Sequence, residues 1–99
     1  MKTLTAGTTC YEIPLTKGLH LDRGYPLVIM EDWDNSFVVE CPALDEYGYG
    51  RTLDSAMFDL GSSIVDLWIV LRRMTKRHRN LGGSLARVFD EMNGHIKKL

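Results

Sequence analysis

The sequence predicts an α+β domain: an antiparallel sheet of three to five strands, one main helix packed on a face of it, and a short C-terminal helix. Three observations predict this. Leu53, Ala56, Met57, Leu60, Ile64, Leu67, Trp68 and Leu71 recur at three- and four-residue steps, which brings them to one face of a helix. Before them come short runs rich in apolar and β-branched residues, broken by Asp, Asn, Gly and Pro turn chemistry. No repeat and no long linker divides the 99 residues, so residues 1–99 read as one domain, with a core over about 25–74 and a helical tail over about 82–97.

Taken in order, Met1–Thr9 is small and polar and reads as a loose edge. Cys10–Leu15 is a candidate strand that Pro14, lacking an N–H, confines to a sheet edge. Lys17–Arg23 alternates weakly and is a second candidate. Tyr25–Glu31 is a strand on the strength of Leu27, Val28, Ile29 and Met30. Asp32–Asn35 has the composition of a turn. Ser36–Cys41 is the returning strand of a hairpin, with Phe37, Val39 and Cys41 on the face that meets the helix and Val38 and Glu40 on the other. Pro42–Asp45 turns the chain again. Glu46–Gly50 is a short strand whose glycines allow close backbone approach or a bulge.

The main helix is expected from Leu53 to about Met74, with Thr52 as N-cap and Asp54 placing negative charge in the first turn. It carries a second, narrower stripe, Phe58, Val65 and Ile69, which implies two packing partners: the sheet, and either the C-terminal helix or another copy of the chain. Gly82 and Gly83 end what precedes them, and Ser84 is the expected N-cap of a last helix. Leu85, Val88, Phe89, Met92, Ile96 and Leu99 form its stripe, and Gly94 weakens it.

Composition is that of an ordinary globular chain, 44% hydrophobic and 25% charged. The net charge of −1 conceals a division: residues 1–50 carry −5 and residues 51–99 carry +4. A chain divided this way can orient against a charged partner or a second copy. No apolar run approaches the ~20 residues of a membrane span, and no signal-peptide pattern opens the chain. A cytoplasmic setting with Cys10 and Cys41 as thiols is therefore expected.

The run Leu27–Ala56 reads Leu-Val-Ile-Met-Glu-Asp-Trp-Asp-Asn-Ser-Phe-Val-Val-Glu-Cys-Pro-Ala-Leu, then Asp-Glu-Tyr-Gly-Tyr-Gly-Arg-Thr-Leu-Asp-Ser-Ala. A strand, an acidic turn, a strand ending near a proline, a glycine-containing strand and a Thr that opens a helix follow in this order. In that order and spacing, over about residues 25–72, the chain resembles the HicB family of antitoxin-like proteins. It departs from the family's pattern at Arg51, where an acid is usual, at Asp54-Ser55, where two glutamates are usual, and at Asp45 and Glu46, where a Pro-Gly turn is common. Residues 75–99 are too short for the DNA-binding module that many members carry. The resemblance implies a partial RNase H-like fold, no enzymatic activity, and masking of a small RNA-cleaving toxin.

Candidate sites follow from the residues themselves. The expected partner surface comprises Trp33, the acidic side of the sheet (Glu31, Asp32, Asp34, Asp45, Glu46) and the stripe Phe58, Val65 and Ile69. An acidic surface suits a small basic protein partner, and the second stripe suits a homo-oligomer, dimer or tetramer. The alternative function is nucleic-acid binding by the basic run Arg72, Arg73, Lys76, Arg77 and Arg79, with His78 inside it. A two-metal nuclease would need several carboxylates among Glu31, Asp32, Asp34, Asp54 and Asp59 to converge, although turn and helix-end chemistry explains most of them. No cofactor is expected, and His20, His78 and His95 lack metal-ligand spacing.

Overall fold

The structure, a computed structural model, describes residues 2–3, 9–77 and 81–99. Along the chain these form β1 (Lys2–Thr3), β2 (Cys10–Tyr11), β3 (Leu19–Leu21), β4 (Tyr25–Pro26), β5 (Val28–Glu31), β6 (Phe37–Cys41), a 3-10 turn (Pro42–Leu44), β7 (Glu46–Gly50), α1 (Leu53–Lys76), α2 (Gly83–His95) and β8 (Ile96–Lys98). The fold is α+β, as predicted. The main sheet has the order β1-β5-β6-β7 and is antiparallel throughout. Two smaller antiparallel pairs, β2 with β4 and β3 with β8, complete it.

The hairpin register follows from turn chemistry. Asn35 takes a left-handed conformation (φ 64°), and the Asp32 N–H donates to the Ser36 carbonyl, so Glu31 faces Phe37 and Ile29 faces Val39. Asp45, also left-handed, closes the 3-10 turn and sends β7 back along β6. Ile29, Val39 and Cys41 are buried on the face that meets α1.

Gly48 makes that contact possible. A Cβ there would collide with the Ala56 carbonyl and the Leu60 backbone, so the helix lies directly on the strand. Gly61 does the same against the Pro14 carbonyl and seats the loop before β3 on α1.

Thr52 caps α1 as expected, in a reciprocal arrangement. The Ser55 N–H donates to Thr52 Oγ1 and the Thr52 N–H to Ser55 Oγ, both at 3.1 Å. At ~1.5 Å per residue its 24 residues span ~36 Å, about twice the length of five-residue β7. Gly50 lies against Ser55, and the Ser63 hydroxyl donates to Glu46 Oε2 at 2.9 Å, so the sheet underlies only the first half of the helix. Beyond it, Ile64, Val65 and Trp68 stay buried in one cluster with Ile13, Val88, Met92 and Ile96.

Several expectations are corrected. The helical tail ends at His95, not near residue 97, because Ile96–Lys98 pairs with β3 and Ile96 enters the core from a strand. Leu99 is exposed rather than part of a helical stripe. The N-cap of α2 is Gly82, whose carbonyl accepts the Ala86 N–H at 2.8 Å, and not Ser84. Tyr25–Glu31 breaks at Leu27: Tyr25–Pro26 pairs with β2, while Val28–Glu31 joins the main sheet. The strand expected over Cys10–Leu15 is confined to Cys10–Tyr11, since Pro14 packs on Gly61 instead. The strand expected over Lys17–Arg23 is Leu19–Leu21, after left-handed Lys17 and Gly18. Leu53, in the open first turn, is 39% exposed despite its place on the apolar stripe. No described helix is long and apolar enough to cross a membrane.

Candidate functional site

Strand alternation gives the main sheet a second face, turned away from α1. The register aligns two rows on it: Met30, Val38 and Tyr49, and beside them Val28, Glu40 and Tyr47. Five of these six side chains are apolar or aromatic. Tyr47 and Tyr49 are 62% and 53% exposed, and the other four are half-buried. A solvated antiparallel face ordinarily alternates with polar residues; this one does not. α1 lies on the opposite face, and α2 packs on α1 and the 3-10 turn.

The turn at one end of this face is built to stand out from it. Trp33 is 91% exposed at its tip. Asp32 Oδ1 accepts the Trp33 N–H at 2.8 Å, which ties the turn to its own backbone. Tyr49 donates its hydroxyl to Ser36 Oγ (2.8 Å), and Ser36 donates to Asp34 Oδ1 (2.6 Å), which also accepts the Ser36 N–H (3.1 Å). These hydrogen bonds from Ser36 hold the Asp34 carboxyl below its usual range, with Arg51 contributing. Ser36, a buried polar residue absent from the expected site, thus couples the edge strand to the acidic turn. Its only sequence signal is its place two residues after an Asp.

Residues 25–50 hold six carboxylates and no Lys or Arg. Glu31, Asp32 and Asp34 belong to the hairpin end, and Asp45 is exposed at the other end of β7. Glu46 points to α1, where burial raises its pKa and the Ser63 hydrogen bond opposes that rise. Asp59 is likewise explained: its Oδ2 accepts the outward Tyr49 N–H at 2.9 Å and blocks the open edge of β7. Among the described residues no group of three or more His, Cys, Asp or Glu side chains can hold a metal ion, so Glu31, Asp32, Asp34, Asp54 and Asp59 do not form a two-metal centre. Cys41 is buried, which raises its thiol pKa and makes it a core residue.

The second stripe of α1 divides. Val65 is fully buried and Ile69 packs partly against the core, while Phe58 is 57% exposed. Arg72, Arg73, Lys76 and Arg77 are exposed at the far end of α1; Arg79 and His78 lie outside the described residues.

A polar cluster that the expected site did not include joins α2 to the loop after β3. His95 Nδ1 lies 2.6 Å from Asp22 Oδ1, and Tyr25 donates to Glu91 Oε1 at 2.8 Å. Arg23 stacks 4.7 Å over the Tyr25 ring and reaches Glu91 at 3.6 Å. The burial of the ring, and then the hydrogen bond from Tyr25 to Glu91, raise the tyrosine pKa. The Glu91/His95 spacing is visible in the sequence; their partners, 66 and 73 residues away, are not.

Neither a known protein family, nor a curated protein, nor a solved structure matches the chain.

Proposed function

We propose that the protein is a non-enzymatic binding module, HicB-like in character, that covers a small basic protein with the outer face of its main sheet. One observation carries the reading: five apolar or aromatic side chains lie together on a face that no helix among the described residues shields, beside a protruding tryptophan, in a segment whose charges are all negative. Interfaces concentrate Tyr, Trp and Met in this way. Negative potential around an apolar centre raises the encounter rate with a cationic partner and disfavours acidic ones. The order of strands, turn and helix that resembles HicB antitoxins supports a toxin of basic, RNA-contacting character as that partner, in an assembly that contains more than one copy of this chain.

The test is co-expression with any short basic protein encoded beside this chain. A complex that survives purification is expected, and Met30→Asp or Val38→Asp should weaken it by at least ~30-fold, the equivalent of ~2 kcal/mol at a buried anchor. A neighbouring frame that encodes no such protein, or a complex indifferent to both substitutions, overturns the reading.

A further inference from the structure

The end of α1 that outruns the sheet carries Arg72, Arg73, Lys76 and Arg77, all exposed. None makes an ion pair with a carboxylate among the described residues. The sequence supplies no nearby acid: residues 67–89 contain six Lys or Arg and no Asp or Glu. Arg72, Arg73 and Lys76 line one hollow of about 160 Å³ beside Ile69. The Arg72 guanidinium rests 4.6 Å from the centroid of the Trp68 ring, which orients it without neutralising it.

Complementing the backbone dipole explains only part of this. Cations at a helix C-terminus gain ~0.3–1 kcal/mol each, and the effect fades within the last turn. Arg72 precedes that turn, and four like charges over two turns repel one another.

We propose that this end of α1 is a docking site for the phosphate backbone of nucleic acid, engaged without regard to base sequence. Three of the four cations are arginines, whose planar forks take two phosphate oxygens at once. The exposed side chains of these turns include no aromatic group, since Trp68 is buried, so the contacts fall on backbone and not on stacked bases. Val70 is the one large apolar side chain that these turns expose among the described residues, too little to insert into a lipid surface.

Fluorescence anisotropy with a labelled 20-base-pair DNA duplex of arbitrary sequence, and separately with the RNA duplex of that sequence, tests the proposal. Four phosphate contacts give a salt slope near −3.6, so affinity for at least one duplex should fall ~100-fold between 50 and 200 mM KCl. Arg73→Glu combined with Lys76→Glu should remove binding, and Arg73→Gln with Lys76→Gln should weaken it and flatten the slope by about two. Lys97→Glu with Lys98→Glu, on β8, should change affinity less than ~3-fold. Circular dichroism checks that each variant is folded. Absence of saturable binding to both duplexes at 50 mM KCl overturns the proposal. So does equal loss in the α1 and β8 variants, or binding to phosphatidylserine vesicles in place of either duplex.

Discussion

Glu46 and Ser36 each do locally what their neighbours cannot. Burial raises the Glu46 pKa, so the folded chain holds that proton more tightly than the unfolded chain does. Its contribution to stability is complete below the unfolded carboxyl pKa and is lost as pH rises through the folded value. At pH 7 its ionisation opposes the fold. Glu46→Gln keeps an acceptor for the Ser63 hydroxyl and should raise the Tm at pH 7 by a few degrees, ~1 kcal/mol being worth ~4–8 °C in a domain of this size. Below about pH 3, where the carboxyl is protonated in both the folded and the unfolded chain, thermal melts of the two proteins should coincide. Asp34 has the opposite sign. Its lowered pKa means that it stabilises the fold above the unfolded value and ceases to do so as pH falls through the folded one. Ser36→Ala removes its hydroxyl donor and leaves the backbone N–H in place, so an NMR titration should find the Asp34 pKa risen part of the way toward the ordinary carboxylate value. The same variant breaks the hydrogen bond from the half-exposed Tyr49 hydroxyl, which water can then satisfy, and should cost about 0.5–1.5 kcal/mol in urea unfolding. The importance of Ser36 is invisible in the sequence because it depends on Tyr49 arriving across the sheet from 13 residues away.

Elements were legible where one period dominated. α1 has both a cap and an uninterrupted apolar stripe, and the hairpin has strand alternation on either side of a turn, so both stand where the sequence puts them, except that the first hairpin strand breaks at Leu27. β8 was not legible, because Ile96 falls on the helical stripe of α2 and is equally suited to begin a strand. Only β3, more than 70 residues earlier, decides between them, and local pattern carries no information about such a partner. The glycines of β7 are legible as places of close approach or a bulge, and the fold makes them close approach, while the role of Gly61 emerges only from the fold. Two glycine substitutions separate these roles. Gly48→Ala forces a methyl into the backbone of α1 and should cost about 3 kcal/mol or more. Gly94→Ala meets open space in α2 and should gain about 0.5–1 kcal/mol by relieving the helix of its most flexible residue. Urea denaturation of both variants, with unchanged m-values, measures the contrast.

At the scale of the whole molecule, α1 acts as a beam with opposite charges at its two ends. The chain is elongated, 44 Å in its longest dimension against 24 Å in its shortest. The hairpin turn lies at the helix N-terminal end, since Phe37 pairs with Gly50 and Gly50 abuts Ser55. The exposed arginines begin 17 residues later, ~25 Å along the axis. Electrostatic influence decays over ~8 Å at physiological salt, so neither end feels much of the other's charge. The acidic turn therefore does not quench the basic end by folding against it, and the two proposed surfaces should work independently. Arg73→Glu with Lys76→Glu should abolish duplex binding and leave affinity for the basic protein partner within ~3-fold, while Met30→Asp should do the reverse. Isothermal titration of each variant with each ligand, at 150 mM salt, gives the four numbers of that cycle. A variant that lost both activities while remaining folded would mean that the two surfaces meet a single shared ligand, and the division of labour along the helix would then be abandoned.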